Sequence, residues 1–153
     1  MASVEVNKIA PDFTLLDLNG EPFQLSSYKG NKNVLLVLNR GFVWPFCQRH
    51  MMQLHQDMEA FNERDTIIVT IGPENAEAFK NFFAKNGYTY YGLPDENLTV
   101  LKMYGQQVKL FKFGRMPAQM LIDKNGILRF VHFGHDMQDI PSNEEILTLI
   151  DAL

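Results

Sequence analysis

The sequence predicts an α/β fold in which helices cover both faces of a mixed central sheet. Three observations carry this. Residues 34–38, Val-Leu-Leu-Val-Leu, form an unbroken apolar run of the kind that makes a strand buried on both faces. Met51, Leu54, Met58 and Phe61 then recur at helical spacing among polar residues, which marks an amphipathic helix. A second apolar run, residues 66–71, ends at Gly72-Pro73. Strand, helix and strand thus form one unit whose crossover should be right-handed.

The remaining elements follow in order. Residues 13–18 and 22–25 flank Asn19-Gly20, a pair that tolerates positive φ, so an N-terminal β-hairpin is expected. Residues 26–29 suit a single helical turn, and 30–33 a loop into the central strand. Pro45 fits the first turn of the helix, where its missing N–H has no partner to lose, and this places Cys47 in that turn. Residues 74–86 predict a helix with Ala76, Phe79 and Phe83 on one face, closed by Asn86-Gly87. Residues 88–92 suggest a short strand and 95–104 a short helix, with Asp95-Glu96-Asn97 as acids at its start. Residues 106–114 read as a loop or strand near the site. Met116-Pro117-Ala118 precedes a strand at 119–123, which Lys124-Asn125-Gly126 joins to another at 127–133. Ser142 and Glu145 fit a capping box ahead of a terminal helix bearing Ile146, Leu149 and Ile150.

With 153 residues, the chain suits a single domain over residues 1–153. Hydrophobic residues at 46% and charged residues at 21% are ordinary for a water-soluble protein. A net charge of −4 and the lack of any basic run argue against nucleic acid as a partner. No stretch approaches the roughly 18 apolar residues of a membrane span, and residues 1–11 do not have the form of a secretory signal. The expectation is therefore no membrane partner and a cytoplasmic location. One cysteine excludes an intramolecular disulfide. No glycine-rich phosphate loop occurs, and His50 and His55, five residues apart, do not align as ligands on one helix face, so neither cofactor nor metal is expected.

Binding sites in such sheets lie beyond the strand C-termini, where residues 40–47 fall. Cys47 there faces the unpaired N–H groups of a helix start, which favour thiolate, and Arg40 and Arg49 add to that if they turn inward. It also begins the apolar stripe that Met51 and Leu54 continue, so the residues alone leave open a reactive thiol or a packed one. His50 is placed to act as a local base, but the expectation for it is exposure to solvent.

The stretches Ala10-Pro11-Asp12-Phe13-Thr14-Leu15, Leu25-Ser26-Ser27-Tyr28-Lys29-Gly30, the central strand with its cysteine loop, and Leu121-Ile122-Asp123-Lys124-Asn125-Gly126-Ile127-Leu128-Arg129 together resemble the peroxiredoxins, the alkyl hydroperoxide reductase/thiol-specific antioxidant group of the thioredoxin-fold superfamily. The resemblance implies a thioredoxin-like three-layer α/β/α architecture and a P-x-x-x-T-x-x-C loop whose cysteine attacks a peroxide. Cys47 matches that cysteine. Arg40 stands at the proline position and Trp44 at the threonine position, and the segment also resembles R-G-x-x-C-P-x-C with its first cysteine replaced by Trp44. Pro117 aligns with the family's peroxide-binding arginine, and Arg115 lies two residues before it. Arg115 either reaches Cys47 or is a surface arginine. Pro117 also resembles the cis-proline of thioredoxin-like proteins, against which stands a plain trans proline at the start of an edge strand.

On this resemblance the chain is expected to be a one-cysteine thiol peroxidase (an antioxidant oxidoreductase) that reduces hydrogen peroxide or alkyl hydroperoxides, with an external thiol or thioredoxin-like reductant. Cys47, Arg40, Trp44 and Arg115 are the expected catalytic residues. Gly41, Phe42, Val43, Pro45, Phe46, Met116 and Pro117 are expected around the substrate. A homodimer is expected from the habits of peroxiredoxins. Two other readings stay open: a binding module with weakened catalysis, and a single-cysteine partner in thiol–disulfide exchange.

Overall fold

The computed structural model describes residues 4–153. Its centre is a five-stranded mixed sheet formed by β3 (Asn33–Leu38), β4 (Thr66–Gly72), β5 (Tyr91–Pro94), β8 (Ala118–Ile122) and β9 (Leu128–Phe133). Their spatial order is β5-β4-β3-β8-β9. β3 runs parallel to β4 and antiparallel to β8, and all six of its residues are buried, as a continuous apolar run requires of a strand at the middle of a sheet.

Alternate residues of β3 feed two cores. Leu35 and Val37 join Ile68 and Leu121 beneath α1 (Pro45–Gln56), α2 (Met58–Asn62), α3 (Ala76–Asn86) and α5 (Asn143–Asp151). Val34, Leu36 and Leu38 pack on the other face with Val100 and Leu101 of α4 (Thr99–Met103) and with Phe13 and Phe23 beside the hairpin of β1 (Thr14–Leu16) and β2 (Pro22–Gln24). Helices thus lie on both faces, four on one side, and one with the hairpin on the other.

Several boundaries differ from the sequence-based expectations for local reasons. In the hairpin only Gly20 takes positive φ (+81°). The Asp17 carboxylate instead accepts the N–H groups of Asn19 (2.8 Å) and Glu21 (3.0 Å), which gives a wider turn than Asn-Gly would form alone. α3 begins at Ala76, because Asn75 is the cap and accepts from Ala78 N–H at 2.9 Å; it stops at Gly87 with φ +70°. α4 begins four residues later than Asp95. That buried acid nevertheless serves its N-terminus, accepting from the N–H groups of Thr99 (3.1 Å), Val100 (2.9 Å) and Leu101 (2.8 Å). Residues 106–114 resolve into β6 (Val108–Lys109), a short 3-10 turn at Leu110–Lys112, and the start of β7 (Gly114–Arg115), which pairs antiparallel with β6.

There is no cis peptide bond among the described residues, so Met116–Pro117 is trans. In that form Met116 N–H reaches Gln107 O (2.8 Å) and Pro117 O accepts from Gly134 N–H (2.8 Å). Pro117 does not begin an edge strand either. It sits one residue ahead of β8, which lies between β3 and β9, at a point where the ladder asks no N–H of it.

Candidate active site

The backbone leaves β3 at Leu38, passes Asn39, Arg40 and Gly41, and enters α1 with Trp44 as N-cap, Pro45 as the first helical residue and Cys47 as the third. Trp44 makes no side-chain cap, so the first-turn N–H groups stay free of a capping oxygen, a setting suited to negative charge. Cys47 is only 1% exposed. Burial is the largest influence on its thiol and pushes its pKa above the ordinary value. The backbone N–H groups of Arg40 and Gly41 and the Arg40 guanidinium pull it back down, and the Glu74 carboxylate pushes it up.

Arg40 is the residue that makes this loop unusual. It is 4% exposed, although arginine is seldom buried unless its donors are used. Its Nε donates to Arg115 O and its Nη2 to Phe113 O (3.2 Å), while the guanidinium lies over the Trp44 ring, 3.9 Å from the centroid. Nη1 is buried with no partner. Burial pulls the Arg40 pKa down, and a thiolate at Cys47 pulls it back up, so the two groups favour each other's charged forms.

The other expected residues divide between the thiol and other tasks. Arg115 gives its carbonyl to Arg40, but its own Nη1 donates to Gln106 Oε1 at 3.2 Å. Gln106 in turn donates to Asn39 O and Met116 O, both at 3.0 Å. The cation acting on Cys47 is Arg40, and Arg115 serves by shaping the wall behind it. Phe42 is buried, stacked on Phe82 (4.2 Å) and edge-on to Phe79 (4.8 Å), so it anchors the loop to α3. Val43 and Pro45 are exposed, Trp44 and Phe46 half-buried, and Met116 and Pro117 buried. Arg49 is exposed, near the Phe46 ring (5.5 Å), and so does not turn inward.

One residue gains an importance that the sequence did not reveal. Glu74, expected as the first residue of a helix, turns back to the cysteine loop: its Oε2 accepts from Phe42 N–H at 2.7 Å, and its Oε1 is buried without a partner. The only sequence signal is its place just after β4, at the sheet end where β3 releases the cysteine loop. Gly41, with φ +146°, sits between thiol and carboxylate; a Cβ there would lie 3.0 Å from Glu74 Oε2 and 3.5 Å from Trp44 Cδ1. Only glycine suits that combination of φ and close approach. His50, expected at the surface, is 4% exposed with Nε2 unpartnered, and burial lowers its pKa to about 4. It lies inside because Cys47, His50, Met51 and Leu54 form the buried stripe of α1.

His132 Nε2 lies 2.9 Å from Asp139 Oδ1. Among the described residues there is no group of three or more His, Cys, Asp or Glu side chains placed to hold a metal ion, and no helix is long and apolar enough to cross a membrane.

Comparison with known proteins identifies the family. The chain is 29% identical over 154 residues to the chloroplastic peroxiredoxin Q of Sedum lineare, covering 99% of this chain and 81% of that one. It is 32% identical over 153 residues to the chloroplastic peroxiredoxin Q of Arabidopsis thaliana, covering 99% and 69%. It is also 30% identical over 132 residues to alkyl hydroperoxide reductase E of Mycobacterium tuberculosis, covering 83% and 84%. Among solved structures, peroxidoxin BcpB from Mycobacterium tuberculosis superposes with a TM-score of 0.85 at 20% identity over 98% of each chain. The mitochondrial 2-Cys peroxiredoxin from Plasmodium falciparum gives 0.79 at 21% identity, over 97% of this chain and 93% of that one. These two likenesses establish the thioredoxin-type fold. The AhpC/TSA family model matches residues 6–131, and the chain belongs to that family of peroxiredoxin-like proteins.

Proposed function

We propose that the chain is a thiol-dependent peroxidase of one-cysteine type, with Cys47 as the nucleophile and hydrogen peroxide or an alkyl hydroperoxide as substrate. The observation that carries this is the pairing of the single thiol, in the first turn of α1, with the buried guanidinium of Arg40. The thiolate forms an S–O bond to one peroxide oxygen, the O–O bond breaks, Cys47 becomes a sulfenic acid, and the other oxygen leaves as hydroxide or alkoxide and takes up a proton. Arg40 and the N–H groups of Arg40 and Gly41 stabilise the charge that develops. An external thiol then restores Cys47, because the one cysteine of the chain has no second thiol to pair with.

Arg40 performs the anion-binding task that the resemblance had assigned near Pro117, and it approaches the thiol from the β3 side. Stopped-flow mixing of the protein with hydrogen peroxide and an alkyl hydroperoxide should leave a dimedone-reactive sulfenic acid on Cys47. A reaction no faster than that of free cysteine would reject the proposal.

The 1% exposure of Cys47 favours one second reading, a binding module with a packed thiol. Such a protein shows no dimedone adduct and alkylates slowly even at alkaline pH. The strip formed by Val108, Leu110, Phe111 and Phe113, all exposed, and continuous with Arg40 through the Phe113 carbonyl, supports a homodimer through this face. Sedimentation of wild type should then show a dimer that Phe111→Asp converts to monomer; a monomeric wild type would end that proposal.

A further inference from the structure

A cavity of about 120 Å³ opens at the end of the sheet away from Cys47. Val34 and Ile122, paired across β3 and β8, line it together with Ala10, Leu25 and Tyr28. All of these but Tyr28 are buried. Three separate stretches of chain enclose the space, and backbone groups tie each to another. Ala10 N–H donates to Gly126 O (2.9 Å), Gly30 N–H to Lys124 O (2.5 Å) and Ser26 N–H to Asp12 Oδ1 (2.9 Å). Tyr28 is fixed as well, by a hydrogen bond between its hydroxyl and that of Tyr91 (2.8 Å) and by stacking on Phe23 (5.4 Å). The cavity is therefore built into the fold, as binding pockets usually are. Val34 to Leu38 covers roughly 13 Å of strand, the cysteine loop begins beyond Leu38, and none of residues 40–47 lines the cavity.

The charged groups around the cavity are unevenly used. Asp12 accepts from Ser26 N–H on Oδ1 and from Gln24 Nε2 (3.3 Å) on Oδ2. Asp123 accepts from the N–H groups of Asn125 (2.9 Å) and Ile127 (3.0 Å) on Oδ1, and from Arg129 Nε (2.7 Å) on Oδ2. Every oxygen of these two carboxylates thus has a donor. Lys32 shares Asp65 with Lys124, at 3.5 and 3.0 Å. Lys29 differs from them all. It lines the cavity, and a Cβ on Gly126 would lie 3.7 Å from its Cδ, but among the described residues no carboxylate forms an ion pair with its ammonium. Ile9, also in the lining, is 72% exposed.

We infer that this cavity binds a small monocarboxylate with an apolar body, the body seated against Leu25, Val34 and Ile122 and the carboxylate beside Lys29. The volume sets the body: an apolar cavity of about 150 Å³ holds benzene, so this one takes a ring or chain of about six carbons. The charges set the head. A cationic ligand finds no carboxylate oxygen without a donor, whereas an anionic one finds an ammonium without an anion. Lysine offers a point charge and no rigid fork, which suits one carboxylate better than a doubly charged phosphate. Neither half suffices alone, since an exposed ion pair is marginal and a short chain buries little area. Ile9 at the rim gives a longer chain an apolar surface on which to continue. The thiol takes no part, so the inference goes beyond the peroxidase reading and does not depend on it.

Hexanoate is the probe, with acetate as its head alone and 1-hexanol as its body alone. Titration of the isotope-labelled full chain, followed by NMR, reads the backbone amides of Ser26, Lys29, Ile122 and Gly126, all in the cavity lining. Hexanoate should shift them saturably, and acetate and hexanol should each bind at least about fivefold more weakly. Lys29→Gln changes an exposed side chain and should keep the folded spectrum while lowering hexanoate to the affinity of hexanol. No saturable shift of these amides below about 50 mM hexanoate would overturn the inference. So would equal binding of acetate or of hexanol, or a hexanoate affinity unchanged in Lys29→Gln. Iodoacetamide alkylation of Cys47 supplies the remaining control. Hexanoate that slows alkylation while the four amides stay still has bound at the thiol, and that too would overturn the assignment; an alkylation rate unchanged at saturating hexanoate supports it. A chain with no peroxidase activity would leave these outcomes as they are, so the two readings fail separately.

Discussion

Replacing Arg40 by methionine is expected to slow peroxide oxidation of Cys47 by about 10²–10³-fold at neutral pH, the usual loss when one preorganised donor is removed from a developing anion. The reasoning starts from burial. Desolvation already pushes the Cys47 thiol toward its neutral form, and Arg40 is the one cation that opposes it alongside the N–H groups of Arg40 and Gly41. Methionine fills similar volume and can still lie on Trp44, but it supplies no charge, so the pH midpoint of alkylation should move upward. Arg40→Lys should fall between: it keeps the charge, yet its ammonium cannot reproduce the fork that spans the Arg115 and Phe113 carbonyls. That contrast matters because methionine also leaves the two carbonyls without their donor and loosens the β6–β7 strip. If the Lys and Met variants were equally slow at unchanged alkylation midpoint, the effect would belong to the strip. If Arg40→Met oxidised within threefold of wild type, Arg40 would have no part in the chemistry.

The sheet and the cysteine loop were legible because each is written in local pattern. The Val34 to Leu38 run can bury both faces only as a central strand, and the spacing from Cys47 through Leu54 admits only a helix. Together these two patterns suffice to put Arg40 and Cys47 at the same sheet end. What was not legible depends on partners distant in sequence. Glu74 looks like the first acid of a helix, and nothing nearby shows that its partner is Phe42 N–H on another loop. Arg115 does lie beside the cysteine loop, but Gln106 holds its guanidinium. Pro117 occupies a position that the resemblance associates with special geometry, yet its neighbours are satisfied with a trans bond. His50 is a different case. Cys47, His50, Met51 and Leu54 follow the i, i+3, i+4, i+7 rule, so the period already put the imidazole inside; the usual exposure of histidine argued otherwise and lost.

That buried imidazole should make the protein lose stability in mild acid, above the pH at which Asp12, Asp123 and Asp139 titrate. His50 is neutral in the folded chain because burial lowers its pKa from 6.5 to about 4. It lines a cavity of about 10 Å³ with Gln119, Pro117, His132 and Asp139, too confined to hydrate an imidazolium freely. The Asp139 carboxylate is already engaged there by the His132 ring and the His135 N–H. In the unfolded chain the His50 ring protonates near 6.5. Above that pH both states leave it neutral and it has no effect on the balance. As pH falls from 6.5 toward 4, the unfolded state takes up a proton that the native state refuses, so stability declines by roughly 1.4 kcal/mol per pH unit, about 3 kcal/mol in all. Asp12, Asp123 and Asp139 have pKa values held below 3.8, so their contribution is lost only at lower pH, and the interval from 6.5 to 4.5 isolates the histidine. Urea unfolding of wild type and His50→Leu at pH 7 and pH 4.5 reads this directly. The wild type should lose on the order of 2–3 kcal/mol across that interval and the leucine variant less than about 1 kcal/mol. Equal losses in both would show that the ring is hydrated or paired when charged, and with that the buried placement of His50 beneath the cysteine helix would fail.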